Sequence, residues 1–237
     1  MKKDRENSVS EEFDINDVPA LSELRPKTAP KTVPDAVIRR LPRYFRCLRD
    51  LFNRDILRVS SEELSEYLGI TASQLRQDMK YLDAEGQRGY GYSVKALYTS
   101  ISGLLGVAKK HTAAMVGAGK LGSAIASSMM LEQRGVWLKA IFDIKPELFG
   151  AEIAGASVYD AADLKEYCKK HKTDILIICC DPGSSDAATE LVSGTGVKGV
   201  WNFSPYELKR ETTGVPTENV CTGDSLMNLI YEMSGKK

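Results

Sequence analysis

Thr112-Ala113-Ala114-Met115-Val116-Gly117-Ala118-Gly119-Lys120-Leu121-Gly122 is the stretch that decides the fold. A short apolar run feeds directly into Gly-x-Gly-x-x-Gly. An amphipathic helix is predicted to follow from Leu121 through Ile125 to Leu131. A lone glycine pattern of this kind is weak, but a strand before it and a helix after it are the context that supports a dinucleotide site. Gly117 permits the tight turn, Gly119 lets a pyrophosphate approach the backbone, and Gly122 allows close packing of helix on strand. The candidate phosphate cradle is thus Gly117, Ala118, Gly119, Lys120, Leu121 and Gly122. A second strand, Val136 to Phe142, ends in Asp143, 26 residues after the first glycine. Its carboxylate is placed to accept from ribose hydroxyls and to repel a 2′-phosphate, which favours NAD(H) over NADP(H), a preference that Lys145 weakens slightly.

Outward from this core the alternation continues. Strands are predicted at Ile175–Cys180 and Gly199–Phe203, with helices at about 160–170 and 187–192. The expected architecture is α/β, a doubly wound parallel sheet of the Rossmann type. The two histidines, His111 and His171, both precede strands, whereas ligands bind at the carboxyl edge of such a sheet. Neither histidine is therefore placed to serve as the acid or base of a hydride-transfer enzyme. No metal-ligand cluster is present in the sequence. A nucleotide site without catalytic machinery points away from an enzyme and toward a sensor.

Upstream lies a different pattern. Val37, Leu41, Tyr44, Phe45, Leu48, Leu51 and Phe52 follow helical spacing, with Pro42 expected to start or kink a turn. A second helix is predicted from Ser60, with Glu63 completing a capping box, and is stopped by Gly69. A third starts at Thr71, with Gln74 in the same relation, and runs through Leu75, Met79 and Leu82. The pair reads as a helix-turn-helix. Gly86-Gln87-Arg88-Gly89-Tyr90-Gly91-Tyr92 then reads as the hairpin of a winged helix. Ser73, Gln74, Arg76, Gln77 and Lys80 are the candidates for a major groove, and Arg88, with Gly89 and Tyr90, for the minor groove or backbone.

The 237 residues hold 32 basic and 32 acidic side chains. Residues 1–24 carry three basic and seven acidic groups, and residues 25–97 carry fourteen and nine. The neutral total thus hides a basic middle segment, the footprint of a nucleic-acid binder. No run of 18 apolar residues exists, so no membrane span is expected. The five cysteines, Cys47, Cys168, Cys179, Cys180 and Cys221, read as reduced thiols of a cytoplasmic protein. The expected division is an acidic tail over 1–35, a winged-helix DNA-binding domain over 36–106, a Rossmann domain over 107–218, and a last helix over 219–237.

These residues resemble the Rex family of redox-sensing transcriptional repressors over roughly residues 32–233. The resemblance rests on Arg39-Arg40-Leu41-Pro42-Arg43-Tyr44, Val59-Ser60-Ser61-Glu62-Glu63-Leu64, Leu75-Arg76-Gln77-Asp78, Gly86 to Tyr92, the Gly117 loop, Phe142-Asp143 and Trp201-Asn202-Phe203-Ser204-Pro205. It implies a homodimer that senses the NADH/NAD+ ratio and is released by NADH from a palindromic double-stranded DNA operator. It adds Arg40 and Ser60 to the DNA contacts. It places Cys180, Asp181 and Pro182, with Asn202, Phe203 and Ser204, near the nicotinamide. It further implies that the last helix swaps between subunits, for which Leu226, Leu229, Ile230 and Met233 form an apolar stripe. A switch network in the family joins an Arg, matched by Arg46, to a Tyr and an Asp. Here the latter two positions read as Ser128 and Cys221, with Asp224 one turn on. Gln77 replaces a usual basic residue, and Leu82-Asp83 a usual Phe-Gly. An altered operator or NADH response follows from these departures. The alternatives are a repressor with a redox-insensitive nucleotide or other ligand, and a small NAD-dependent oxidoreductase.

Overall fold

A computed structural model describes residues 33–82, 90–128 and 130–235. Most of the acidic tail and the wing residues Gly86 to Gly89, Arg88 among them, lie outside these. The chain divides into two compact units, the first ending at Lys109 and the second beginning at Lys110.

In the first unit the elements are α1 (Asp35–Ile38), α2 (Leu41–Phe52), β1 (Arg58–Val59), α3 (Ser61–Leu68), α4 (Ala72–Met79), β2 (Tyr92–Ser93) and α5 (Val94–Leu105). Pro42 sits in the first turn of α2, where its missing N–H costs nothing. Ser60 and Glu63 form the reciprocal capping box at the start of α3, and Gly69 ends that helix in the left-handed region at φ 58°. Thr71 caps α4 through the Gln74 N–H, but the Gln74 side chain turns away to Asp78, so the second box is only half formed. The apolar faces of α2, α3, α4 and α5 close on Leu41, Tyr44, Leu48, Leu64, Leu68, Leu75, Leu97 and Ile101. β1 and β2 pair antiparallel beside them.

The second unit contains β3 (His111–Val116), α6 (Lys120–Ala126), β4 (Val136–Asp143), β5 (Glu152–Ile153), β6 (Ala156–Asp160), α7 (Leu164–His171), β7 (Ile175–Ile178), α8 (Ser185–Val192), β8 (Gly199–Asn202), α9 (Arg210–Thr213), β9 (Thr217–Asn219) and α10 (Thr222–Met233). The sheet order is β5-β6-β4-β3-β7-β8-β9. Every pairing is parallel except β5 with β6. The wholly parallel sheet expected from sequence is therefore mixed at one edge, where a two-residue strand folds straight back through Ala154 and Gly155. Successive residues of β3 face opposite sides. Ala113 and Met115 pack with Ile125 and Ile141, and Ala114 and Val116 pack with Phe142, Leu176 and Ile178. Both faces are buried, as a parallel sheet requires.

Two expectations need correction. The helix after the glycine loop ends at Ala126 rather than reaching Leu131. There the Ser128 hydroxyl donates to the Ile125 carbonyl, and serines that bond their own backbone weaken a helix interior. The strands β5, β6 and β9 were not foreseen, because each is short and lies beside glycine- and polar-rich sequence.

Candidate functional site

β3 lies at the switch point of the sheet, since β4 and β6 extend to one side and β7, β8 and β9 to the other. Val116 pairs with Phe142 on one flank and with Ile178 on the other. The three strands therefore end together, bringing Gly117, Asp143 and Cys179 to one edge, the edge where such sheets bind ligands.

Each glycine of the loop has its own reason. Gly117 has φ 102°, and a Cβ there would lie 2.8 Å from the Cys179 carbonyl group. A Cβ on Gly122 would lie 1.9 Å from the Gly117 oxygen. Gly119 differs: its φ is −68°, and a Cβ would meet nothing within 4 Å. The fold does not require glycine at 119, whereas a ligand approaching the backbone would. Among the described residues, no acceptor takes the N–H groups of Gly119, Lys120 or Leu121. Gly119, Lys120 and Leu121 are exposed, so this turn presents open donors suited to a pyrophosphate.

Asp143 ends β4. One carboxylate oxygen accepts from the Ala118 N–H at 2.7 Å, the other from the Lys145 N–H at 3.0 Å. These bonds fix the carboxylate beside the loop, and each oxygen keeps a lone pair for a ribose hydroxyl. Past β7, Cys180 is half-buried, and Asp181 accepts from the Gly183 N–H at 2.9 Å, rounding the turn through Pro182 toward α8. At the end of β8, Asn202, Phe203 and Ser204 come to the same edge. Asn202 is buried, and its amide donates to the Tyr206 carbonyl at 2.7 Å and to Asn219 at 2.8 Å, while its oxygen accepts from the Ser204 N–H. Asn202 thus shapes the edge, with both amide hydrogens committed to the protein. Phe203 packs edge-on against Trp201, and the Ser204 hydroxyl donates to the Tyr206 carbonyl.

In the first unit, Ser73, Arg76, Gln77 and Lys80 are exposed along α4. Arg76 is engaged with Glu62 at 3.2 Å and with the Ser61 hydroxyl at 3.1 Å, which ties α4 to α3. The Ser60 hydroxyl is engaged as the cap of α3. The Arg40 guanidinium, a third exposed, grips Asp78 with two bonds of 2.7 Å. Asp78, 1% exposed, also accepts from the Tyr44 hydroxyl at 2.5 Å and from the Gln74 amide at 2.9 Å. Burial opposes charge on Asp78, but the bonds from Arg40, Tyr44 and Gln74 outweigh it and hold the carboxyl below the ordinary range. The network fixes α4 against α2, with Arg40 and Gln74 both committed to Asp78.

Tyr90, at the described end of the wing, is 71% exposed. Its carbonyl accepts from Arg58 at 3.3 Å, and the Arg58 guanidinium lies 5.9 Å from its ring centre. Sequence reading missed Arg58. The signal was a basic residue two positions before the Ser60 cap. Arg46, exposed on α2, belongs to the first unit, and Ser128, Cys221 and Asp224 belong to the second. The Ser128 hydroxyl is engaged by the Ile125 carbonyl, and Cys221 stands at the start of α10 three residues before Asp224.

The comparisons agree with this division. A family described as "Putative DNA-binding protein N-terminus" matches residues 32–79, and one described as "CoA binding domain" matches residues 108–206. The chain is 44% identical over 199 residues to the redox-sensing transcriptional repressor Rex of Caldanaerobacter subterraneus subsp. tengcongensis, covering 84% of this chain and 88% of the relative. It is 43% identical over 207 residues to Rex of Clostridioides difficile, covering 87% and 98%. A crystal structure of RSP with β-NAD+ and operator DNA superposes with a TM-score of 0.79 at 41% identity, covering 86% of this chain and 94% of that one. RSP with β-NADH gives 0.77 at 40% identity, covering 86% and 96%. With a helical DNA-binding domain ahead of a Rossmann-like sheet, and at this identity over most of its length, the chain belongs to the Rex family of redox-sensing transcriptional repressors.

Proposed function

We propose that this chain represses transcription by binding a palindromic DNA operator through its first unit, and that NADH, bound at the Gly117 loop, releases it. One observation carries the nucleotide half. Asp143 is fixed beside a loop whose Gly119 leaves open space that the fold itself does not need. Pyrophosphate on the open N–H groups and ribose on Asp143 account for the two parts common to every dinucleotide. Coenzyme A carries a 3′-phosphate on that ribose, which the Asp143 carboxylate would repel, so NAD(H) fits better. The relatives support the switch, since RSP is described with NAD+ and operator DNA together and with NADH alone.

Operator recognition falls to Ser73, Gln77 and Lys80 on α4, with Arg76 on release from Glu62. The wing residues Arg88 and Gly89, with Tyr90 backed by Arg58, fall to the adjacent groove. A two-fold operator requires a dimer, and α10 is the element that offers one. Leu226, Met227, Leu229, Ile230, Tyr231 and Met233 are each 52–76% exposed on this single helix. Such a surface needs cover, and exchange of α10 between two copies supplies it. Helices long and apolar enough to cross a membrane are absent among the described residues, and a repressor of chromosomal operators works in the cytoplasm.

The test is operator binding, read by fluorescence anisotropy and titrated separately with NADH, NAD+ and coenzyme A. NADH should release the DNA at concentrations where NAD+ and coenzyme A do not. In Asp143→Ala, NADH should bind at least about tenfold more weakly, on the scale of a lost charged hydrogen bond. DNA binding that ignores both redox forms, or undiminished NADH affinity in Asp143→Ala, refutes the proposal.

A further inference from the structure

The first unit carries a cleft of about 240 Å³ between α2 and α3 that the DNA reading does not use. Arg43, Arg46, Cys47 and Asp50 line it from one face of α2, Arg54 stands just past the end of that helix, and Tyr67 and Leu68 close it from α3. The floor is apolar: Leu51 and Leu68 are buried, and Tyr67 is 56% exposed at the rim. Three guanidinium groups face one carboxylate. Such a cleft suits a segment that is both acidic and apolar.

The chain contains one. Glu11-Glu12-Phe13-Asp14-Ile15-Asn16-Asp17-Val18-Pro19-Ala20-Leu21-Ser22-Glu23-Leu24 holds five acidic side chains and no basic one, interleaved with Phe13, Ile15, Val18, Leu21 and Leu24. It lies outside the described residues and ahead of the family match, which begins at residue 32. The eight residues 25–32 join it to the first unit. Fully extended they span about 28 Å, whereas a domain of this size has a radius of gyration of roughly 11 Å. The cleft is therefore within reach. A tether this short holds its segment at an effective concentration of about a millimolar, so even weak docking is populated.

We propose that residues 11–24 dock in the α2–α3 cleft of the same chain, their carboxylates on Arg43, Arg46 and Arg54 and their apolar side chains against Leu51, Tyr67 and Leu68. The charge on each side is complementary, and each side also brings apolar surface for the other to cover.

A fluorescein-labelled peptide of residues 9–26 tests this by anisotropy against the full chain and against a chain lacking residues 2–31. The shortened chain keeps the whole core of the first unit, which begins at Val33. The tethered segment competes in the full chain, so the peptide should bind there at least about tenfold more weakly than to the shortened chain. Arg54→Glu and Tyr67→Ala, each placed in the shortened chain and checked for helix content, should weaken binding by about tenfold. Equal affinity for the two chains overturns the proposal. So does equal binding of a scrambled peptide of the same composition, or indifference to both substitutions. Displacement by low-millimolar inorganic phosphate, without a difference between the chains, would assign the cleft to a small anion instead. A rise in solution mass that requires residues 2–31 would place the segment on another copy.

Discussion

Asp78 shows how one buried side chain can organise the packing of a DNA-binding domain. Its neighbours Arg40, Tyr44 and Gln74 come from two helices and the residue that precedes one of them, and the pairing with Arg40 spans 38 positions. Nothing in the local sequence marks that pair, because Arg40 and Asp78 each look like an ordinary surface charge until α2 and α4 are packed. Asp78→Asn keeps the shape but leaves Arg40 and Tyr44 with a weaker acceptor. With Arg40 still a third exposed and an amide oxygen still present as acceptor, the loss is about 1–2 kcal/mol. Amide hydrogen exchange on α2 and α4, which reports on the first unit alone, should register that loss at neutral pH. The carboxyl is depressed in the folded state, so its contribution is full above the unfolded value and lost as pH falls through the folded one. The difference between the parent chain and the Asp78→Asn variant should therefore persist above about pH 4 and shrink below it.

At the level of elements, the glycine loop separates two demands that the sequence motif merges. Gly122→Ala must push its Cβ into the Gly117 carbonyl. It should lower the melting temperature of the second unit and abolish nucleotide binding together. Gly119→Ala meets open space at an ordinary φ, so the melting temperature should hold within about 2 °C while NADH affinity falls by tenfold or more. Thermal scans with and without NADH distinguish the two. The loop, the strand before it and Asp143 were legible because each is a local pattern with a single physical meaning. So were the Ser60 box and the Gly69 stop, which lie within one short stretch of chain. The antiparallel β5 and the edge strand β9 were not, since two or three residues carry no periodicity. The end of α6 was missed for another reason. Helical spacing continues to Leu131, but Ser127 and Ser128 intervene, and hydroxyl bonding to the backbone overrode the apolar pattern.

At the scale of the whole molecule, α10 carries the proposal of a dimer, through its exposed apolar side chains. Leu226→Glu with Ile230→Glu would place two charges in a surface that needs apolar cover. Light scattering should then show a monomer, and operator affinity should fall by at least about a hundredfold, because a half-site contact replaces a two-fold one. The second unit should keep its NADH affinity, since the loop edge is built from other strands. The thiols carry a consequence of a different kind. All five are held above their ordinary value, four by burial first and Cys221 by its bond to Asp224, and Cys179, beside the glycine loop, is pushed up to about 12. At neutral pH fewer than about one in ten thousand of the Cys179 side chains is the nucleophilic thiolate. A thiol-alkylating reagent should therefore label Cys179 far more slowly in the folded chain than in the unfolded one, so the strand ends that flank the glycine loop stay chemically quiet.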